Sequence, residues 1–257
     1  MRLLIWFSFL AISLSHELPS TFQKCPRKGP NFSQCSVKAV ENAVRQLTRP
    51  IKEVGLPVID PLEVPSMTIA PGNGPTKFQQ NYKNMKVWGY SKGQFSKFDF
   101  DFGQKTVTLD VLFPELVFEF EYDFNGTILV LPFQGHGPGV AIFGNKLRFL
   151  RNFFNFFPEK IKYFFDFWLE EYTRGGRKYY RVVRNRLVME PELIKFKFDN
   201  LFNGDKELGD KINQVFNDNS KEVFGDVKSS YEEAFGQIFT NIFNRLLARV
   251  SIVDLFE

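Results

Sequence analysis

The sequence predicts an α+β fold in which one long C-terminal helix is wrapped by a curved antiparallel β-sheet. Three observations predict it. Apolar residues step by threes and fours from Leu208 to Val250, which marks one face of a helix. From Lys77 to Met189, apolar and polar residues mostly alternate, as in strands with one buried face. No polar linker divides the chain, so 257 residues read as a single domain with a sizeable core.

Taken in order, residues 1–15 read as a secretory signal peptide. Arg2 supplies the positive start, Leu3 to Leu14 the apolar run, and Ser13 and Ser15 the small-residue cleavage site. The run is too short to span a bilayer. Residues 16–257 then form the mature domain, secreted and extracellular, with no integral membrane segment. Cys25 and Cys35 follow, the only two cysteines. In an oxidising compartment they are expected to pair, which closes a short loop and contributes about 2–3 kcal/mol in the chain-entropy model. A metal site is the rival reading, for which two thiols without nearby histidines are a poor ligand set. Asn31 and Asn125 each begin a glycosylation sequon.

Ser33 or Ser36 is expected to open a short helix through Val40, Ala43, Val44 and Leu47, ended by Pro50. The prolines from Gly55 to Pro65 forbid helix and suit an edge strand or wall segment. Phe98, Phe100 and Phe102 then alternate with charges, and so do Leu116, Phe118, Phe120 and Tyr122. Asn125-Gly126 between apolar runs is the strongest short signal for a two-residue hairpin, with Thr127 to Phe133 as the return strand. Gly175-Gly176 divides a later strand pair.

Residues 144–168 do not fit. Phenylalanines crowd there without clean period two. A basic aromatic helix on a membrane surface, an extra wall over a ligand mouth, and read-through of a short AT-rich intron all account for it. The intron is the preferred reading. Beyond lies a short strand, Phe196–Phe198, and then the long helix, which Asn203 or Asp205 can cap. With no proline inside, roughly forty-five residues at 1.5 Å each make a rod of about 65 Å. From Ala234 to Asn244 it carries no charge, so it must be enclosed on several sides.

The net charge of +4 is small and scattered, which argues against a nucleic-acid partner. Gly89-Tyr90-Ser91-Lys92-Gly93 matches the G-x-S-x-G pattern of serine hydrolases, but the following residues alternate as a strand where a helix is required. Gly135, Gly137 and Gly139 suggest a phosphate loop, yet no helix follows to supply its amino end. His136 is the one histidine of the mature body besides His16 at the expected cut. No catalytic set, metal site or cofactor is expected.

The passage Phe196 to Gly209 resembles the signature of the insect juvenile hormone-binding and takeout family. The Cys25…Cys35 pair, the Gly55–Pro65 passage and Tyr122 through Gly137 resemble it in the same order, and the similarity runs from Leu18 to Phe256. Residues 144–168 have no counterpart in it. The resemblance implies a strongly curved antiparallel sheet around the long helix, with an internal hydrophobic tunnel for an apolar ligand. This is the architecture of tubular lipid-binding proteins. A single cysteine pair resembles the takeout branch more than the moth hormone carriers, which have a second bridge.

The expected function is therefore a secreted, non-enzymatic carrier of a small lipophilic ligand such as a terpenoid hormone, a fatty acid or a volatile, acting as a monomer. Burying about 300 Å² of guest at ~25 cal/mol/Å² yields roughly 7 kcal/mol before entropy losses. Candidate lining residues are Phe98, Phe100, Phe118, Phe120, Phe196, Ile238 and Ile242, each equally readable as plain core. The alternative is a membrane- or microbial-surface lipid-binding protein that uses basic aromatic residues.

Overall fold

The computed structural model describes residues 16–144 and 160–257. The expected leader, residues 1–15, and the stretch 145–159 lie outside them. Two antiparallel sheets curve around the C-terminal helices. The larger is built from β1 (Leu62–Ile69), β3 (Gln80–Trp88), β6 (Glu115–Ile128), β7 (Leu131–Gly144) and β10 (Ile194–Phe198), in that spatial order. A short strand, β2 (Thr76–Lys77), also pairs with β6. The smaller sheet runs β4 (Gln94–Asp101), β5 (Thr106–Phe113), β8 (Ile161–Arg174), β9 (Arg177–Pro191). Helix α1 (Phe32–Gln46) precedes the strands, and α2 (Lys206–Asp218), α3 (Ser220–Leu247) and α4 (Ile252–Leu255) follow them. The α+β class and the wrapped terminal helix are those the sequence predicts.

Period-two burial holds along the central strands. Val107, Leu109, Val111 and Phe113 of β5 point inward, as do Leu116, Phe118, Phe120, Tyr122 and Phe124 of β6. Alternation also runs through the crowded phenylalanines after residue 160. Ile161, Tyr163, Phe165 and Phe167 face the core, while Arg184 covers the outward Trp168 ring at 3.8 Å. That end of the atypical stretch is an ordinary strand. The Pro-rich passage ends in β1, an outer strand that accommodates Pro65.

Three expectations need correction. Asn125-Gly126 is not a turn: β6 continues through it, pairing Asn125 with Gln134 and Gly126 with Phe133, and the reversal falls at Leu129-Val130. Glycine is required at 126 because a Cβ would stand 2.4 Å from Phe78 Cβ and 2.7 Å from the Lys77 carbonyl. Gly126→Ala is therefore expected to lower stability by about 1–3 kcal/mol through overpacking, seen as a lower midpoint in thermal unfolding by circular dichroism. By contrast, Gly175 and Gly176 do form a hairpin turn, with φ of 57° and 75° as a type I′ turn demands.

Second, the long helix is two helices. It breaks at Asn219, whose side-chain amide donates to the Val215 carbonyl at 2.8 Å and competes with the helical ladder. Asp205 caps α2 by accepting from the Leu208 amide at 3.0 Å. Third, Asn31 and not a serine occupies the cap position of α1, and the Ser33 hydroxyl instead donates to Asp99 on β4 at 2.8 Å.

The helices close the sheets with asparagines. Asn213 accepts from the Phe198 amide at 2.8 Å and donates to its carbonyl at 2.9 Å. One turn on, Asn217 does the same for Phe196, with both bonds at 2.8 Å. Four helical residues advance about 6 Å and two strand residues about 6.6 Å, so the two pairs stay in step. On β9, Asn244 bonds the Val182 amide and carbonyl, and Glu232 accepts from the Met189 amide at 2.8 Å.

Candidate functional site

Two hollows lie among the described residues between the sheets and the helices. The larger has a volume of about 140 Å³ and lies between α1 and the second half of α3. Val40, Ala43, Val44 and Leu47 roof it. Leu109, Val111, Phe165 and Phe167 of the smaller sheet form its floor, and Phe239, Ile242, Phe243 and Leu246 its flank. Among the described residues, every atom that faces it is apolar. The smaller hollow, of about 30 Å³, lies at the other end of α3. Phe118, Phe120, Phe196, Phe216 and Phe224 line it together with Gln80, Tyr82 and Tyr231.

The two linings share no residue. Along α3 the boundary is Phe235, fully buried, four residues after Tyr231 and four before Phe239. Its ring meets Phe118 of the larger sheet edge-on at 5.7 Å. Phe239 meets Phe165 of the smaller sheet at 5.2 Å, so the uncharged half of the helix touches both walls.

Of the seven residues proposed from sequence, Phe118, Phe120 and Phe196 line the smaller hollow and Ile242 the larger. Phe98, Phe100 and Ile238 line neither. Phe100 stacks on Phe102 at 4.4 Å and packs against Phe256 and Tyr180, while Phe98 and Ile238 sit against the core. Sequence reasoning missed the roof. The spacing of Val40, Ala43 and Val44 showed an apolar helix face but not what it covers.

Polar groups inside are few. The Tyr82 and Tyr231 hydroxyls both meet Gln80 Oε1, at 2.8 and 2.6 Å. Tyr90 and Tyr163 carry buried hydroxyls with no hydrogen-bond partner among the described residues. Burial pushes all four phenols well above their ordinary range, so each stays a neutral O–H group at physiological pH.

The G-x-S-x-G segment has a structural task. The Ser91 hydroxyl and amide and the Gly89 amide all donate to the Asp60 carboxylate, the amides at 3.1 and 2.9 Å. This fixes the tight turn that sets Tyr90 in the wall of the larger hollow. Gly89, at φ 110°, leaves no room for a Cβ, which would fall 2.3 Å from the Glu115 carbonyl. Gly135 and Gly139 likewise lie within β7 under Leu201 and the Phe120 ring, not in a phosphate loop.

Cys25 and Cys35 are bonded. The bridge ties the first turn of α1 to a segment that also holds the C-terminus, since the Glu257 amide donates to the Cys25 carbonyl at 3.0 Å. Replacing both cysteines with alanine is expected to remove about 2–3 kcal/mol, measured by urea unfolding. Because α1 roofs the larger hollow, the same variant should release a bound apolar dye faster in stopped flow. Among the described residues no three His, Cys, Asp or Glu stand together as a metal set, and no helix is long and apolar enough to cross a membrane.

This arrangement has known counterparts. The crystal structure of Takeout 1 from Epiphyas postvittana superposes with a TM-score of 0.76 at 21% identity, covering 91% of this chain and 99% of that one. Circadian clock-controlled protein daywake of Drosophila yakuba is 23% identical over 264 residues, covering 100% of this chain and 95% of the relative. Its counterpart in Drosophila melanogaster is 22% identical over 266 residues, covering 99% and 96%. The haemolymph juvenile hormone binding protein (JHBP) family matches residues 3–148 and 152–257. A match over almost the whole length, on a fold of two curved sheets closed by a terminal helix, has one consequence: the chain belongs to the haemolymph juvenile hormone binding protein family.

Proposed function

We propose that the protein is a secreted, non-enzymatic carrier of a small lipophilic molecule such as a terpenoid hormone, a fatty acid or a volatile. The observation that carries this reading is the larger hollow, whose wall among the described residues is made entirely of apolar atoms. Apolar cavities of about 150 Å³ stay dry and take up benzene-sized guests, so this one offers a transfer site for hydrocarbon. Residues 16–257 form the carrier domain after loss of the leader, and the Cys25–Cys35 bridge suits an extracellular compartment. Asn31 and Asn125 are both exposed, where glycans would be accommodated.

A guest longer than the hollow reaches the smaller one by displacing Phe235, which makes the two a single tunnel. Of the lining proposed from sequence, Phe118, Phe120, Phe196 and Ile242 then touch the guest. Phe98, Phe100 and Ile238 support the wall.

Filling the hollow tests the reading. The purified protein should bind an apolar naphthyl dye with micromolar affinity and release it to competing lipids. Ala43→Trp, which puts an indole into the roof, should weaken dye binding at least about tenfold with the unfolding transition retained. Equal binding by both proteins sinks the proposal. Mass spectrometry of lipids extracted from the secreted protein would identify the guest.

A further inference from the structure

The smaller hollow differs from the larger in one respect. Its wall contains a carboxamide, Gln80, only 5% exposed, beside two phenols. The Tyr82 and Tyr231 hydroxyl oxygens stand 2.8 and 2.6 Å from Gln80 Oε1 and 2.5 Å from each other, and their two protons serve two of these three contacts, at least one of them to Oε1. With the carbonyl end so engaged, the amide Nε2 hydrogens are turned away. Among the described residues they donate to no group, and Gln80 stands in the wall of the hollow. The rest of the wall is Phe, Met, Val and Ala. Among the described residues no lysine, arginine or histidine lines either hollow.

We propose that Gln80, oriented by Tyr82 and Tyr231, is the head-group site of the carrier and takes the terminal oxygen of an uncharged lipid: a ketone, ester, epoxide or alcohol. This rests on the carrier reading above. The tail lies in the larger hollow, the chain passes Phe235, and the oxygen accepts from the Gln80 amide. A volume of about 30 Å³ suits one small polar group. An ionised carboxylate is disfavoured, because leaving water without a cation to meet it is expensive and an amide alone does not compensate. The two phenols hold the carboxamide in one orientation, so the donor is already in place when the guest arrives.

Three competitors matched in chain length separate the possibilities: tridecan-2-one, tetradecane and laurate at pH 8, each displacing the naphthyl dye. The expected order is ketone first, ahead of tetradecane by about tenfold, one hydrogen bond to a desolvated donor, with laurate weakest. Gln80→Leu should erase the ketone's advantage while tetradecane binds as before. Tyr231→Phe, which frees one side of the carboxamide, should reduce it. Equal binding of ketone and tetradecane by the unaltered protein overturns the assignment and leaves the carrier reading intact, as would an advantage that survives Gln80→Leu in a folded variant. Laurate binding as tightly as the ketone overturns the preference for an uncharged head. If none of the three displaces the dye, the carrier reading fails and this inference with it.

Discussion

Alanine at position 235 is expected to join the two hollows and to cost about 3–5 kcal/mol of stability, the usual range for emptying a buried phenylalanine site. Phe235 has no exposed surface and is the only α3 side chain placed one turn from both linings. Its loss leaves Phe118 without an edge-on partner and removes the barrier between Tyr231 and Phe239. Two measurements read the result. Urea unfolding gives the stability, and displacement of the dye by n-alcohols of increasing length gives the reach of the cavity. The unaltered protein should favour chains that stop near Phe235 or bear the strain of moving it. The variant should shift its optimum toward longer alcohols. Unchanged length preference in a folded Phe235→Ala protein would place the barrier elsewhere.

The second large effect is expected from Asn213→Leu combined with Asn217→Leu. Together these side chains serve both backbone groups of Phe196 and of Phe198. Leucine keeps the volume and removes all four bonds. Each abandoned backbone group costs roughly 1 kcal/mol, the low end of the range because both asparagines are only half-buried and water can partly substitute, so the pair should lose about 4 kcal/mol. Gln214→Leu, an exposed position on the same helix, is the control and should change little. Hydrogen exchange at the Phe196 and Phe198 amides should accelerate in the double variant. Protection that persists there would assign the bonds a minor role.

Much of this architecture is legible in the chain before any coordinates. The threes and fours from Leu208 onward and the alternation of Leu116 to Tyr122 mark helix and strand because each reports a local period. What is not legible depends on contacts distant in sequence. Gly126 reads as a turn until Phe78 is placed over it. The break at Asn219 is hidden because the apolar stripe continues across it, from Phe216 to Val223. The same limit divides the site. Inward faces can be read, so four of the seven proposed residues line a hollow. Depth cannot: β4 is an outer strand, and its Phe100 turns toward Phe256 instead. Ser91 completes a hydrolase pattern on paper, yet its hydroxyl is committed to Asp60.

The four sheet borders have a consequence for the protein's behaviour at high concentration. Outer strands with bare amide rows are templates onto which another chain can add, the usual start of fibrous aggregation. Here β10 is occupied by Asn213 and Asn217, β9 by Asn244 and Glu232, β4 lies beneath α1, and β1 carries Pro65. A chain rich in phenylalanine and built, among its described residues, around ten strands thus offers little purchase for cross-chain β-pairing at these borders.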